Sequence, residues 1–143
     1  MSDSDLDQMV ERYHRSLDVL LRGDPEPAKV MFSHRDDVTL ANPFGPVARG
    51  WKDVARTIDT AAAGFRDGST VRFERISGYF TPDLAYLVEM EHLKAKLGNS
   101  QEISAFSLRV TSVIRREDGV WKVIHRHADP ITSPRPPESV LQK

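Results

Sequence analysis

Leu84-Ala-Tyr-Leu-Val-Glu-Met-Glu-His-Leu-Lys-Ala-Lys96 is the stretch whose reading decides the fold. Its first seven residues are apolar on both alternating faces, and Ala85, Leu87, Glu89 and Glu91 share one of them. Alternation over this length marks a strand. Thr70–Phe80 precedes it, and Glu102–Arg115 and Val120–Ala128 follow, all with strand character. The separators are Thr81-Pro82-Asp83, Gly98-Asn99 and Glu117-Asp118-Gly119. Such short turn sequences join neighbouring strands antiparallel, so the second half predicts a four-stranded meander. On its first strand Val71 and Phe73 share a phase, while Ile76, Gly78 and Phe80 hold the opposite one. A bulge near Glu74–Arg75 accounts for the switch and bends the sheet.

Upstream of the meander the period changes to that of helices. Leu6, Met9, Val10, Tyr13, Leu17, Leu20 and Leu21 recur at helical spacing, with Ser2 or Ser4 as cap and Gly23 to close the helix. Asp24-Pro25-Glu26 restarts a short helix that ends near Phe32. Val38–Asn42 reads as a brief strand stopped by Pro43, and Trp51, Val54, Ala55, Ile58, Ala62 and Phe65 mark a third helix released at Gly64. Helices followed by a bent meander predict an α+β domain with the helices on one face of a curved antiparallel sheet. Three helices cover one face only, yet Leu84–Met90 is apolar on both. The outer face is therefore expected to meet a second copy of the chain in a homodimer. The alternative cover is the chain's own tail.

The length of 143 residues suits a single domain over 1–143, with a core of about 5–129 and a Pro-rich tail of 130–143. Cysteine is absent, which excludes disulfides, thiolate zinc sites and cysteine nucleophiles. Twenty Lys and Arg against 21 Asp and Glu leave a net charge of −1, so neither nucleic acid nor an anionic membrane is an expected partner. The longest uncharged apolar run, Leu84 to Val88, is far short of a membrane span, and the acidic start lacks the pattern of a signal peptide. A cytoplasmic protein is expected.

Alternation on the last strand places Trp121, Val123, His125 and His127 on one face, opposite Lys122, Ile124 and Arg126. Ser107, Arg109 and Thr111 share a phase on the strand before it. If these are the concave phases, an Arg, two His and one or two Glu converge in an apolar cavity. A buried charge must be paired, which predicts Glu91 with Arg109 and a histidine within reach. The bland alternative is a surface pair of Glu91 and Arg109. His125-x-His127 has the spacing of metal ligands, but Glu91 is the only third candidate, so neither a metal nor another cofactor is expected.

Two segments carry a resemblance. They are Phe32-Ser-His-Arg-Asp-Asp-Val-Thr-Leu-Ala-Asn-Pro-Phe-Gly-Pro46 with Arg49-Gly50-Trp51, and Arg109-Val-Thr111 with Arg115-Arg-Glu-Asp-Gly-Val-Trp-Lys-Val-Ile-His-Arg-His127. Together they resemble the SnoaL-like, ketosteroid isomerase-like branch of the nuclear transport factor 2-like superfamily, from Asp5 to about Asp129. The resemblance implies the cone-shaped α+β roll, also called cystatin-like, with helices on the concave face of the sheet. It aligns Tyr13 with the oxyanion-hole tyrosine of ketosteroid isomerase, Asn42 with its general-base aspartate, and Thr111 near its second oxyanion donor. An amide cannot abstract a proton, so steroid isomerisation by that mechanism is not expected. A dehydratase or hydrolase fits better, with His125, His127 and Glu91 moving protons while Tyr13 and Asn42 hold an oxygen. In the related assembly domains Arg109 would be an anion clamp.

The function expected is binding of a small organic molecule, polyketide- or ketone-like, with lyase, isomerase or hydrolase chemistry. Tyr13, Asn42, His125, His127 and Glu91 are the catalytic candidates. Arg109, Trp51, Phe32, Phe44, Phe106 and Thr111 are the ligand-binding ones. The alternative is a non-catalytic ligand-binding or oligomerisation module.

Overall fold

A computed structural model describes residues 4–142. Its elements are α1 (Ser4–Leu20), α2 (Glu26–Met31), β1 (Thr39–Ala41), β2 (Ala48–Arg49), α3 (Trp51–Ala63), β3 (Phe65–Phe80), β4 (Leu84–Leu97), β5 (Ser104–Glu117) and β6 (Val120–Asp129), followed by a 3₁₀ turn over Pro137–Val140. The six strands form one curled, unclosed sheet in the order β2-β1-β6-β5-β4-β3. The β3 to β6 meander is antiparallel throughout, and β1 joins β6 in parallel. The α+β roll expected from the sequence is therefore the fold.

Local chemistry sets the element ends. Along α1, Leu6, Met9, Val10, Tyr13 and Leu17 are buried at helical spacing. Gly23, at φ 100°, donates to Leu20 O at 2.9 Å while Asp24 N–H reaches back to Val19 O at 3.3 Å. This pair of bonds satisfies the last carbonyls of the helix. Ser2, one of the two cap candidates, lies outside the described residues. Asp24 Oδ1 then accepts Glu26 N–H at 3.0 Å and opens α2. Asp118 and Gly119 both have positive φ, 51° and 81°, as a two-residue hairpin turn between β5 and β6 requires.

Bulges curl the sheet. Strand β3 carries three register shifts against β4, between Arg66 and Ser69, Thr70 and Arg72, and Arg75 and Ser77. The last lies beside the position expected from the phase switch, and the other two have no signature in the alternation. Each extra residue bends the strand and increases its twist, which wraps the sheet around the helices.

A fourth bulge overturns the reading of the last strand. Val113 pairs with His125 but Ile114 pairs with Val123, which leaves Ile124 as an extra residue in β6. Trp121 and Val123 therefore face the interior before the bulge, and Arg126 and Ala128 do so after it. His125 and His127 are turned to the outer face, although simple alternation puts them in phase with Trp121. On β4 the interior face is Ala85, Leu87, Glu89 and Glu91, as read from the sequence, continued by Leu93 and Ala95. On β5 it is Leu108, Val110, Ser112 and Ile114, so Arg109 and Thr111 point outward.

Gly68 on β3 sits where the sheet and α1 approach most tightly. A Cβ there would lie 2.6 Å from Lys94 O, 2.7 Å from Ala95 Cβ and 2.8 Å from Leu21 O. Two of the three are backbone atoms and cannot swing aside. Gly68→Ala is expected to cost about 1–3 kcal/mol, the usual range for overpacking, read as a lowered urea midpoint with an unchanged slope.

Candidate functional site

A cavity of about 70 Å³ lies between the helices and the concave face of the sheet. Leu17, Leu20 and Leu21 of α1, Ile58 and Ala61 of α3, and Leu93, Leu108 and Ala128 of the sheet form apolar walls. Among the described residues its only charged lining groups are Glu91 and Arg126. They are bound to each other end-on: Arg126 Nη1 donates to Glu91 Oε2 at 2.8 Å and Nη2 donates to Oε1 at 2.7 Å. Arg126 Nη1 also donates to the Tyr13 hydroxyl at 2.8 Å, and that hydroxyl shares a 2.9 Å hydrogen bond with Ser112 Oγ. Glu91 and Tyr13 are fully buried, Arg126 and Ser112 nearly so.

These four groups hold one another in defined states. Burial works against the Arg126 charge, but Glu91 and Tyr13 outweigh it and leave the guanidinium more strongly protonated than usual. Burial pushes the Tyr13 phenol above its ordinary pKa, with the Arg126 charge acting in the opposite direction. The cluster therefore consists of a locked ion pair and a neutral phenol.

At the mouth, Phe65 stacks on Phe106 with centroids 6.2 Å apart and meets Phe44 edge-on at 6.0 Å. Beyond it runs an open groove of about 600 Å³ along α3 and the 44–48 loop. Cavity and groove share Asn42, Phe44, Ala61 and Phe65, so this aromatic rim is the partition between them. Asn42 Oδ1 accepts Phe44 N–H at 3.1 Å and fixes the bend of the rim loop.

A second polar cluster occupies the next inward carboxylate of β4. His14 Nε2 donates to Glu89 Oε1 at 2.9 Å, Arg75 Nε donates to Oε2 at 3.2 Å, and the imidazole lies flat on Phe73 at 3.7 Å. None of these residues lines the cavity or the groove. Burial raises the Glu89 pKa, but His14 and Arg75 outweigh it and hold the carboxyl below its usual value.

A model of the SnoaL-like domain matches residues 7–132. The chain belongs to the SnoaL-like domain family. Its fold is shared with a nuclear transport factor 2-like superfamily protein from Salmonella enterica, at 18% identity and a TM-score of 0.77, covering 94% of each chain. A ketosteroid isomerase-like protein from Erwinia carotovora superposes at a TM-score of 0.73 with 14% identity, over 91% of this chain and 96% of that one. A candidate scytalone dehydratase from Novosphingobium aromaticivorans gives 0.72 and 16%, over 92% and 94%. No curated protein matches the chain significantly.

In this SnoaL-like domain the sequence-derived candidates separate into two groups. Glu91, Asn42, Phe32, Phe44 and Phe106 line the cavity, and Tyr13 supports Arg126 from behind. The remaining candidates lie elsewhere. Arg109 is half-exposed on the outer face and donates from Nε to Asp129 at 2.7 Å, so the expected Glu91–Arg109 pair does not form. Thr111 lies on that same outer face, opposite His127. His127 is exposed and 3.3 Å from Asp129, while His125 Nδ1 shares a 2.8 Å hydrogen bond with Thr39 Oγ1. Burial, and then the neighbouring His127, lower the His125 pKa. Trp51 stacks on His34 at 3.7 Å and does not line the cavity.

Arg126 is the residue that the sequence reading missed. The signal that finds it is on β5: the phase Leu108, Val110, Ser112, Ile114 is more apolar than Ser107, Arg109, Thr111, Val113 and is the better choice for the interior. Among the described residues no group of three or more His, Asp or Glu is arranged to hold a metal ion, and no helix is long and apolar enough to cross a membrane.

Removing one partner of a buried ion pair strands the other charge, so Arg126→Met is expected to lose about 3–5 kcal/mol. The double variant Glu91→Leu/Arg126→Met should regain most of that loss in urea denaturation. The second cluster predicts a pH effect. A carboxylate held low in the folded state stabilises fully above its unfolded value of about 4.3, and the contribution is lost as pH falls toward the folded value. Glu89→Gln is thus expected to make the decline of stability below about pH 4.3 shallower than in the wild type.

Proposed function

We propose that this SnoaL-like domain binds a small organic molecule in the cavity, with its polar end toward Arg126 and its body extending past the aromatic rim into the groove. The observation that carries this reading is the Glu91–Arg126 pair, the one charged element among the described residues in a lining that is apolar apart from Asn42. Ligand sites commonly combine apolar walls with a few placed polar groups. Drug-sized ligands need roughly 300–1,000 Å³, so a cavity of about 70 Å³ holds only a ligand's head and the groove of about 600 Å³ would take the rest.

Turnover is the finer form of the same proposal, and fold neighbours described as ketosteroid isomerase-like and as a candidate scytalone dehydratase are compatible with it. The geometry favours binding without turnover. Both oxygens of Glu91, the only carboxylate lining the cavity, are engaged by Arg126, and neither His125 nor His127 reaches the cavity. Titration of the labelled chain with 2-nonanone is expected to move the amide resonances of Leu93, Leu108 and Ala128. Ala128→Leu, which fills the cavity, should abolish the shifts while preserving the dispersed spectrum. Resonances of the wild type unmoved by 2-nonanone, octanoate and nonane alike would overturn the proposal.

We also propose that the outer face of the sheet carries a second copy of the chain. Tyr79, Tyr86 and Leu84 are 63%, 40% and 47% exposed there, and the two tyrosine rings pair at 6.4 Å. Sedimentation velocity is expected to give a dimer for the wild type and a monomer for Tyr86→Asp. A monomeric wild type at micromolar concentration would refute this interface.

A further inference from the structure

We infer that the cavity accepts a neutral oxygen acceptor of the ketone, ester or amide class on a free edge of Arg126, and that it rejects the corresponding carboxylate. This rests on the binding reading above and adds the chemistry of the ligand's head. A guanidinium carries five N–H donors. Arg126 uses three of them: two from Nη1, to Tyr13 and Glu91, and one from Nη2, to Glu91. The Nε–H and the second Nη2–H remain. They lie parallel along the other edge of the planar group, a fork suited to an oxygen acceptor.

That edge is not sealed by protein. Among the described residues, the only fully buried side-chain nitrogen or oxygen without a hydrogen-bond partner is Trp121 Nε1. Arg126 Nε has no such partner either, so it retains contact with free space. The residue is more than nine-tenths buried and lines the cavity, which makes the cavity the space its open edge borders. Asn42 contributes in the same sense. Its Oδ1 accepts Phe44 N–H, which leaves both Nδ2–H donors available.

Charge then selects among acceptors. Glu91 already cancels Arg126, and no other charged group lines the cavity. A carboxylate placed on the free edge would bring an uncompensated negative charge beside buried Glu91, and such burial is strongly disfavoured. A carbonyl oxygen accepts the same two N–H groups and adds no charge.

The test follows the Arg126 Nε–H resonance of the full chain at pH 7.5 during titration with 2-nonanone, octanoate and nonane. 2-Nonanone is expected to shift it and to bind about tenfold or more tightly than either other probe, a difference well resolved in titration. Glu91→Gln removes the opposing charge and should reverse the order of ketone and carboxylate. Glu91→Gln/Arg126→Gln, which keeps a neutral hydrogen-bonded pair should the single variant fail to fold, should narrow the gap between 2-nonanone and nonane while still excluding octanoate. Octanoate or nonane binding the wild type as tightly as 2-nonanone would overturn the inference and leave the binding reading intact. Failure of all three probes to move Leu93, Leu108 and Ala128 would overturn both.

Discussion

An ion pair inside an apolar interior survives only when its geometry is complete, and the Glu91–Arg126 pair imposes that condition on the rest of the molecule. Glu91 must face inward from β4, and Arg126 must face inward from β6. Ser112 on β5 pairs with Arg126 across the strands and shares a hydrogen bond with Tyr13. Tyr13 closes the arrangement from α1 and ties the helix to the sheet through Arg126 and Ser112. A single polar cluster thus specifies the register of three strands and the docking of a helix, which apolar contacts alone specify less sharply.

The same logic is repeated one step along. Tyr13 and His14 are neighbours on α1, and Glu91 and Glu89 are consecutive inward positions on β4. Each helix residue meets one carboxylate cluster, but the two environments differ. The Glu91 cluster is buried, bidentate and cavity-facing. The Glu89 cluster is completed by Arg75, whose side chain is half-exposed, and lies away from the cavity. Two chemically similar carboxylates therefore have separate tasks, one setting the polarity of the interior and the other fastening the edge of the sheet to the helix.

Much of the fold was legible because its signals are local. The period of α1, the Asp118-Gly119 turn and the alternation of β4 depend on residues close in sequence, and each agrees with the structure. The inward placement of Glu89 and Glu91 was readable for the same reason, whereas Phe32, Phe44 and Phe106, which line the cavity, came with the family resemblance and not from a local signal. Arg126 is not legible from β6 itself, because its orientation depends on Ile124, an ordinary β-branched residue whose bulge leaves no mark in composition, and only the more apolar phase of β5 points to it. Reading β6 as unbroken alternation exchanged Arg126 for His125 and His127, and the error passed to Arg109 through the phase assumed on β5. The helical period carries Phe65 to the end of α3, yet it begins β3 and stands at the cavity mouth. Boundaries of this kind are decided by tertiary packing.

The extra residue in β6 has a consequence for how such a domain changes its chemistry. Because side chains alternate along a strand, gaining one residue there while the bulge is kept exchanges every later interior position with its exterior neighbour. An ordinary point substitution alters one lining group at a time. A single codon inserted ahead of His125 would trade a guanidinium for imidazoles in the lining in one step, whereas loss of Ile124 would close the bulge and leave Arg126 inward. Sequence comparisons that count identities column by column would miss such an exchange, since nearly every letter would be conserved while the interior had been rewritten.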